Sequence, residues 1–193
     1  MASWIEALEA YSPRTEQEEA DRALTLALAR QDPEGILTRE SLLAHITSSG
    51  LVLNPQGTKV LMAWHNIYRS WAWTGGHADG DGDLLAVALR EAREETGVEE
   101  VAPLSPLPAS VDILTVDGHV KRGRWVSSHL HLNVTYLLIA PEDQPLRPKE
   151  DENKEVAWLP AHRLAEYCSE PEMLPVYEKL IARARGMLED RHV

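Results

Sequence analysis

The chain has 193 residues, 44% of them hydrophobic and 26% charged, which suits one soluble globular domain with an extension. Its net charge of −12, from 19 basic against 31 acidic residues, denies it the basic face that a nucleic-acid duplex needs. The opening MASWIEALEAYSP lacks a basic, apolar leader and no apolar run could span a bilayer, so no membrane partner and a cytoplasmic location are expected.

Residues 1–44 read as a helical extension packed on a main domain of residues 45–190. Thr15 and Glu18 form a capping-box pattern ahead of Ala20, Leu24, Ala27 and Leu28, and Asp32-Pro33 stops the helix. From Ile46 the pattern changes to strands. Leu51-Val52-Leu53 and Val60-Leu61-Met62 flank the turn residues Asn54-Pro55-Gln56-Gly57. Trp71 and Trp73 alternate with Ala72 and Thr74 in a short strand that runs into Gly75-Gly76. Leu85, Ala88, Leu89 and Ala92 then make a helical stripe, capped by Asp83 and ended by Gly97.

Val111 to Val116 reads as a strand followed by the turn Asp117-Gly118. The basic run His119-Val120-Lys121-Arg122-Gly123-Arg124 reads as a loop, with Arg122 available to grip an anionic substrate. His129 to Ala140 alternates, with Leu130, Leu132, Val134 and Tyr136 on one face and His129, His131, Asn133 and Thr135 on the other. A polar stretch, a strand around Val156 to Leu159, and helices at Ala161 to Cys168 and Leu174 to Glu189 complete the chain. Cys168 is the only cysteine, so no internal disulfide forms. Strands early and late around one central helix predict a mixed sheet with packed helices.

The chemistry concentrates between Gly75 and Val98. Glu91, Glu94 and Glu95 are spaced i, i+3, i+4 and share one helix face, beside the apolar stripe rather than opposite it. Like charges so close need a cation, and hard Mg²⁺ or Mn²⁺ with oxygen ligands meets that need. Arg90, one turn before Glu94, is placed to orient it by an ion pair. Glycines at 75 and 76 let the backbone approach a metal or phosphate.

These residues resemble the motif of Nudix hydrolases, Gly-x5-Glu-x7-Arg-Glu-U-x-Glu-Glu-x-Gly-U, where U is bulky and aliphatic. Gly76, Arg90, Glu91, Glu94, Glu95, Gly97 and Val98 match in register. Gly82 stands where the motif has its first glutamate, so that carboxylate is lost unless Asp81 or Asp83 replaces it, and Ala92 is small for a U position. The GGHADGD loop and the helical leader look like a bacterial branch of the family.

The resemblance implies an α/β, α+β-like fold: a Nudix α/β/α sandwich with a mixed sheet, here with the N-terminal helical extension. It implies a pyrophosphohydrolase that cleaves a diphosphate linkage in a nucleoside diphosphate derivative or nucleotide, by water attack at phosphorus. On that basis Glu91, Glu94, Glu95 and the Gly76 carbonyl hold Mg²⁺ or Mn²⁺, and Arg90 orients the cluster. Glu152 supplies a further carboxylate, with Glu155 second. The alternative is a catalytically weak nucleotide- or nucleotide-sugar-binding domain, motivated by Gly82. A homodimer is compatible with the resemblance.

Four residues are expected to meet substrate: His77, His131, Arg122 and Trp73, the last with Trp71 and Tyr68 as a stacking surface. His129 and His131 could also bind zinc, but no further ligands with recognisable spacing accompany them. Hydrogen-bonded histidines lining the sheet, with His65 and His77 nearby, are the favoured reading.

Overall fold

The computed structural model describes residues 4–67, 69–121 and 123–190, with residue 121 described in its backbone alone. Arg122 and Tyr68 therefore lie outside the described residues. Two helices open the chain, α1 (Trp4–Ala10) and α2 (Glu16–Gln31), followed by a 3-10 turn at Gly35–Leu37. Strands β1 (Ala44–Leu53), β2 (Lys59–His65), β3 (Ser70–Ala72) and β4 (Thr74–His77) lead into α3 (Leu84–Thr96). Then come β5 (Ala102–Pro103), β6 (Ser110–Val116), β7 (His119–Lys121), β8 (Arg124–Val126), β9 (His129–Ile139) and β10 (Asn153–Pro160). A 3-10 segment at Ala161–Glu166 and α4 (Leu174–Asp190) end the fold.

The main sheet is mixed, as expected. Its path runs β10-β2-β1-β9-β5, with β3 beside β2, β4 beside β1 and β6 beside β9. β1 lies parallel to β9 along its whole length, while its other neighbours are antiparallel. On that other side β1 changes partner: Thr47 to Gly50 pair with β4, and Val52 and Leu53 pair with β2. All ten residues of β1 are buried.

Two cores sit on opposite faces, because successive strand residues point opposite ways. Ile46, Val52, Leu61, Leu132 and Val134 pack with Leu84, Ala88 and Ala92 of α3. Leu51, Leu53, Val60, Met62 and Leu137 pack with Tyr177, Leu180, Ile181 and Ala184 of α4. A sheet between two helical layers is the expected α/β/α sandwich.

The leader departs from expectation in phase. Leu24 is 47% exposed, while Thr25, Leu26 and Ala29 are buried. Polar tethers set this rotation. Asp21 accepts the Ile113 N–H at 3.0 Å, so α2 covers the free edge of β6. Arg22 donates to the Leu8 carbonyl at 2.8 Å, which ties α2 to α1.

Thr15 does cap α2, accepting the Glu18 N–H at 3.2 Å. Glu18 does not return the bond to Thr15. It is fully buried, 2.7 Å from Arg183 and 2.9 Å from Lys179, and accepts the Tyr11 hydroxyl at 2.8 Å and the Arg14 N–H at 2.9 Å. Arg183 also donates to the Ala109 carbonyl, and Lys179 to Asp112. One carboxylate thus joins the leader, β6 and α4.

Two further differences follow from tertiary context. The basic run is not a loop: β7 and β8 pair as a separate hairpin, His119 opposite Val126 and Val120 opposite Trp125. The segment read as a helix at Ala161 to Cys168 is 3-10 at Ala161–Glu166, with non-helical backbone at Arg163.

Burial alone would raise the Glu18 pKa, but the Arg14 N–H, Lys179 and Tyr11 outweigh it and hold it at about 2. A depressed carboxyl contributes stability above its unfolded value of 4.5 and loses it as pH falls toward 2. Glu18→Gln should therefore cost ~3–5 kcal/mol at pH 7, as expected when one partner of a buried ion pair is removed. Urea unfolding should also show a flatter stability profile for the variant between pH 5 and about 2 than for the parent.

Candidate metal and phosphate site

α3 owes its ends to local chemistry. Asp83 accepts the Ala86 N–H at 3.0 Å at the N-terminus. At the other end Gly97 takes a left-handed conformation, φ 77°, and donates to the Arg93 carbonyl at 2.9 Å. Its apolar stripe faces the β1 side, which carries the glutamate edge against β4.

Glu95 lies deepest, at 5% exposure. Its carboxylate accepts the Gly75 N–H at 2.8 Å and the Asn153 amide at 3.0 Å. Burial pushes its pKa up to about 7; those two hydrogen bonds oppose the rise, and the charges of Glu91 and Glu152 add to it. Glu91 is also raised, by burial first and then by Glu94, against Lys149 and Arg90. Its carboxyl carbon stands 2.6 Å from where a Cβ on Gly76 would be, so a larger residue there would push the carboxylate aside.

Glu94 is half-exposed, with Lys149 Nζ at 3.7 Å; the same ammonium lies 3.0 Å from Glu152. Lys149 thereby brings the DENKE segment to the helix. Glu155 instead sits in β10 opposite Trp64. Arg90 turns away from Glu94: it donates to Asp81 at 3.3 Å and lies 3.8 Å from Glu91. The cation beside Glu94 is Lys149, not Arg90.

Gly82 lies against α1. A Cβ there would stand 3.2 Å from the Trp4 ring, a tight contact to which the indole would have to yield slightly. The neighbouring aspartates divide the work, Asp81 pairing with Arg90 and Asp83 capping the helix.

These groups suit a hard divalent cation. Glu91 and Glu95 are sheltered carboxylates with raised pKa, held against glycine backbone. The Asn153 side-chain oxygen beside them is buried and lacks a hydrogen-bond partner among the described residues. Oxygen donors with excess negative charge are what Mg²⁺ and Mn²⁺ prefer. An open cleft of about 410 Å³ adjoins Glu94, lined by Arg93, Arg147 and Glu150 among others.

The expected substrate contacts do not all gather here. Trp73 packs edge-on against Tyr177, ring centroids 5.4 Å apart, and borders the α4 core. Trp71 packs edge-on against Trp64 at 5.8 Å. His77 and His131 meet His45 and His129 on the α4 side of the sheet. His65 lies elsewhere, on β2 opposite Ser70 and Asn153.

Sequence reasoning missed Lys149, Asn153, Trp4 and His45. Lys149 had a faint local signal, its i, i+3 spacing from Glu152. Asn153 and Trp4 had none, since each acts on residues more than fifty positions away.

A NUDIX domain family model matches residues 44–183, most of the chain. No curated protein matches the sequence. Among solved structures, a NUDIX-family hydrolase from Clostridium perfringens superposes with a TM-score of 0.52 at 20% identity, covering 75% of this chain and 96% of that one. The Escherichia coli dihydroneopterin triphosphate pyrophosphohydrolase gives 0.54 at 14% identity, with 72% and 95% covered. A Caenorhabditis elegans Ap4A hydrolase gives 0.51 at 16% identity, with 73% and 98% covered. These similarities establish the shared fold. The family match, the motif on α3 and the sandwich around it agree: the chain belongs to the Nudix family.

Proposed function

We propose that this chain hydrolyses a diphosphate linkage in a nucleoside diphosphate derivative or nucleotide, with Mg²⁺ or Mn²⁺ held by Glu91, Glu94, Glu95 and the Gly76 carbonyl. Family membership supports the enzyme class, a Nudix pyrophosphohydrolase. Two structural relatives act on nucleotide-like compounds by name, an Ap4A hydrolase and a dihydroneopterin triphosphate pyrophosphohydrolase. The observation that carries the reading is the pair Glu91 and Glu95, two sheltered carboxylates with raised pKa, pressed against Gly75 and Gly76.

The bound cation would neutralise charge developing on the phosphate oxygens. The chain's own residues do the rest. Gly75 and Asn153 hold Glu95 by hydrogen bonds, and Arg90, braced by Asp81, stands beside Glu91. Glu152 is assigned the proton of the attacking water, with Lys149 keeping its carboxylate near the helix. Arg93 and Arg147 line the cleft next to Glu94, where a diphosphate has room.

A hydrolysis screen with Mg²⁺ or Mn²⁺ over dinucleotides, nucleotide sugars and nucleoside triphosphates should yield turnover of at least one class. Glu94→Gln and Glu95→Gln should each lower kcat by at least about 100-fold with the fold intact, as for other groups that stabilise transition-state charge. Unchanged turnover in both variants would sink the metal assignment.

The pH dependence has a definite sign. A carboxyl raised from 4.5 to about 7 on folding costs stability progressively as pH rises through that window, when no cation is bound. A cation that binds the ionised form removes the cost. The gain in Tm from millimolar Mg²⁺ should therefore grow between pH 5 and 8; an equal gain at both ends counts against Glu95 as a ligand.

A further inference from the structure

Four imidazoles gather where β4, β1 and the start of β9 meet. His45 pairs across the sheet with His131, and His77 lies on β4 opposite Thr47. The rings of His45 stand 5.0 Å from His77, 5.1 Å from His131 and 4.9 Å from His129, centroid to centroid. Gly76 faces Glu91, so by strand alternation His77 projects to the opposite face. The histidines and the glutamates thus use different sides of one strand.

We propose that His45, His77 and His131 form a second metal site, one that takes a zinc-class transition-metal ion on imidazole nitrogens.

His45 is the anchor. It is 5% exposed, and its Nδ1 lies 3.0 Å from the Ser41 carbonyl. A carbonyl only accepts, so Nδ1 carries the hydrogen and Nε2 keeps a bare lone pair. That Nε2 is buried and has no hydrogen-bond partner among the described residues. A backbone carbonyl on one ring nitrogen, with the other nitrogen free, is the usual arrangement around a metal-binding histidine.

One donor nitrogen from each of His45, His77 and His131 lies within 4.8 Å of the other two. Donors on a tetrahedral zinc ion stand about 3.4 Å apart, so small ring rotations of the two half-buried members close the site. His129 borders this set: its Nδ1 faces the Ser127 carbonyl at 2.9 Å, and its Nε2 is 3.2 Å from His131 Nε2. Two ring nitrogens that close need a proton or a cation between them. Imidazole suits zinc, nickel and copper, whereas Mg²⁺ prefers the oxygens across the strand. Bound there, the ion would join β4, β1 and β9.

The test is Zn²⁺ titration of the chelator-stripped full chain with millimolar Mg²⁺ present throughout, which occupies the carboxylate site. One Zn²⁺ per chain should bind, raise the Tm, and give visible d–d bands when Co²⁺ replaces it. His45→Gln should weaken binding at least about tenfold, in line with losses on perturbing metal shells, while Glu94→Gln leaves it unchanged. His77→Asn, at a half-buried position, tests the same ligand set if His45→Gln fails to fold by circular dichroism. Absence of Zn²⁺ binding, parental affinity in the folded histidine variants, or loss of binding in Glu94→Gln overturns the proposal.

Discussion

The fold hangs on β1. Ten buried residues in a row leave no water to satisfy the backbone, so every N–H and C=O of this strand must find a partner in the sheet. β9 meets one side in full, and the other is shared between β4 and β2. That division turns the chain after β2 and returns it through Trp71 to Thr74 as β4. Gly75 and Gly76 then lie in register with Ser49 and Ser48, beneath the glutamates of α3. The site is therefore a consequence of how one central strand is paired.

Two buried glutamates show how surroundings divide structure from function. Glu18 has an ammonium and a guanidinium within 2.9 Å, and its pKa sits at about 2. Its charge is cancelled inside the protein, and it serves to join the leader, β6 and α4. Among the described residues, Glu95 has as hydrogen-bond partners a backbone N–H and an amide, and its pKa rises to about 7. Dipoles orient this carboxylate without neutralising it. A buried carboxylate left short of charge is suited to an external cation, and the pKa of Glu91 beside it is also raised, even with Arg90 3.8 Å away.

Much of this was legible in order along the chain. The mixed sheet, the capped helix from Leu84 to Thr96 and the alternation of β9 follow from period and end signals, which are local. The phase of α2 was not legible, because Asp21 and Glu18 set it through residues of β6 and α4. Nor was the hairpin formed by β7 and β8, whose short strands carry basic residues that read as a solvated loop. The contact between Gly82 and Trp4, almost eighty positions earlier, was not legible either.

By itself the sequence determined the family, because the carboxylates, the arginine and the glycines that match the Nudix motif stand at fixed helical and loop spacing, which is a local pattern. It also determined most elements, since hydrophobic period is written residue by residue. Only the tertiary structure decided which charges stand next to which. Lys149 rather than Arg90 attends Glu94, Asp81 rather than Asp83 pairs with Arg90, and His45 rather than His65 joins His77 and His131. Coulomb and hydrogen-bond energies depend on distance in space, and pairing across a sheet brings together residues that the chain keeps far apart.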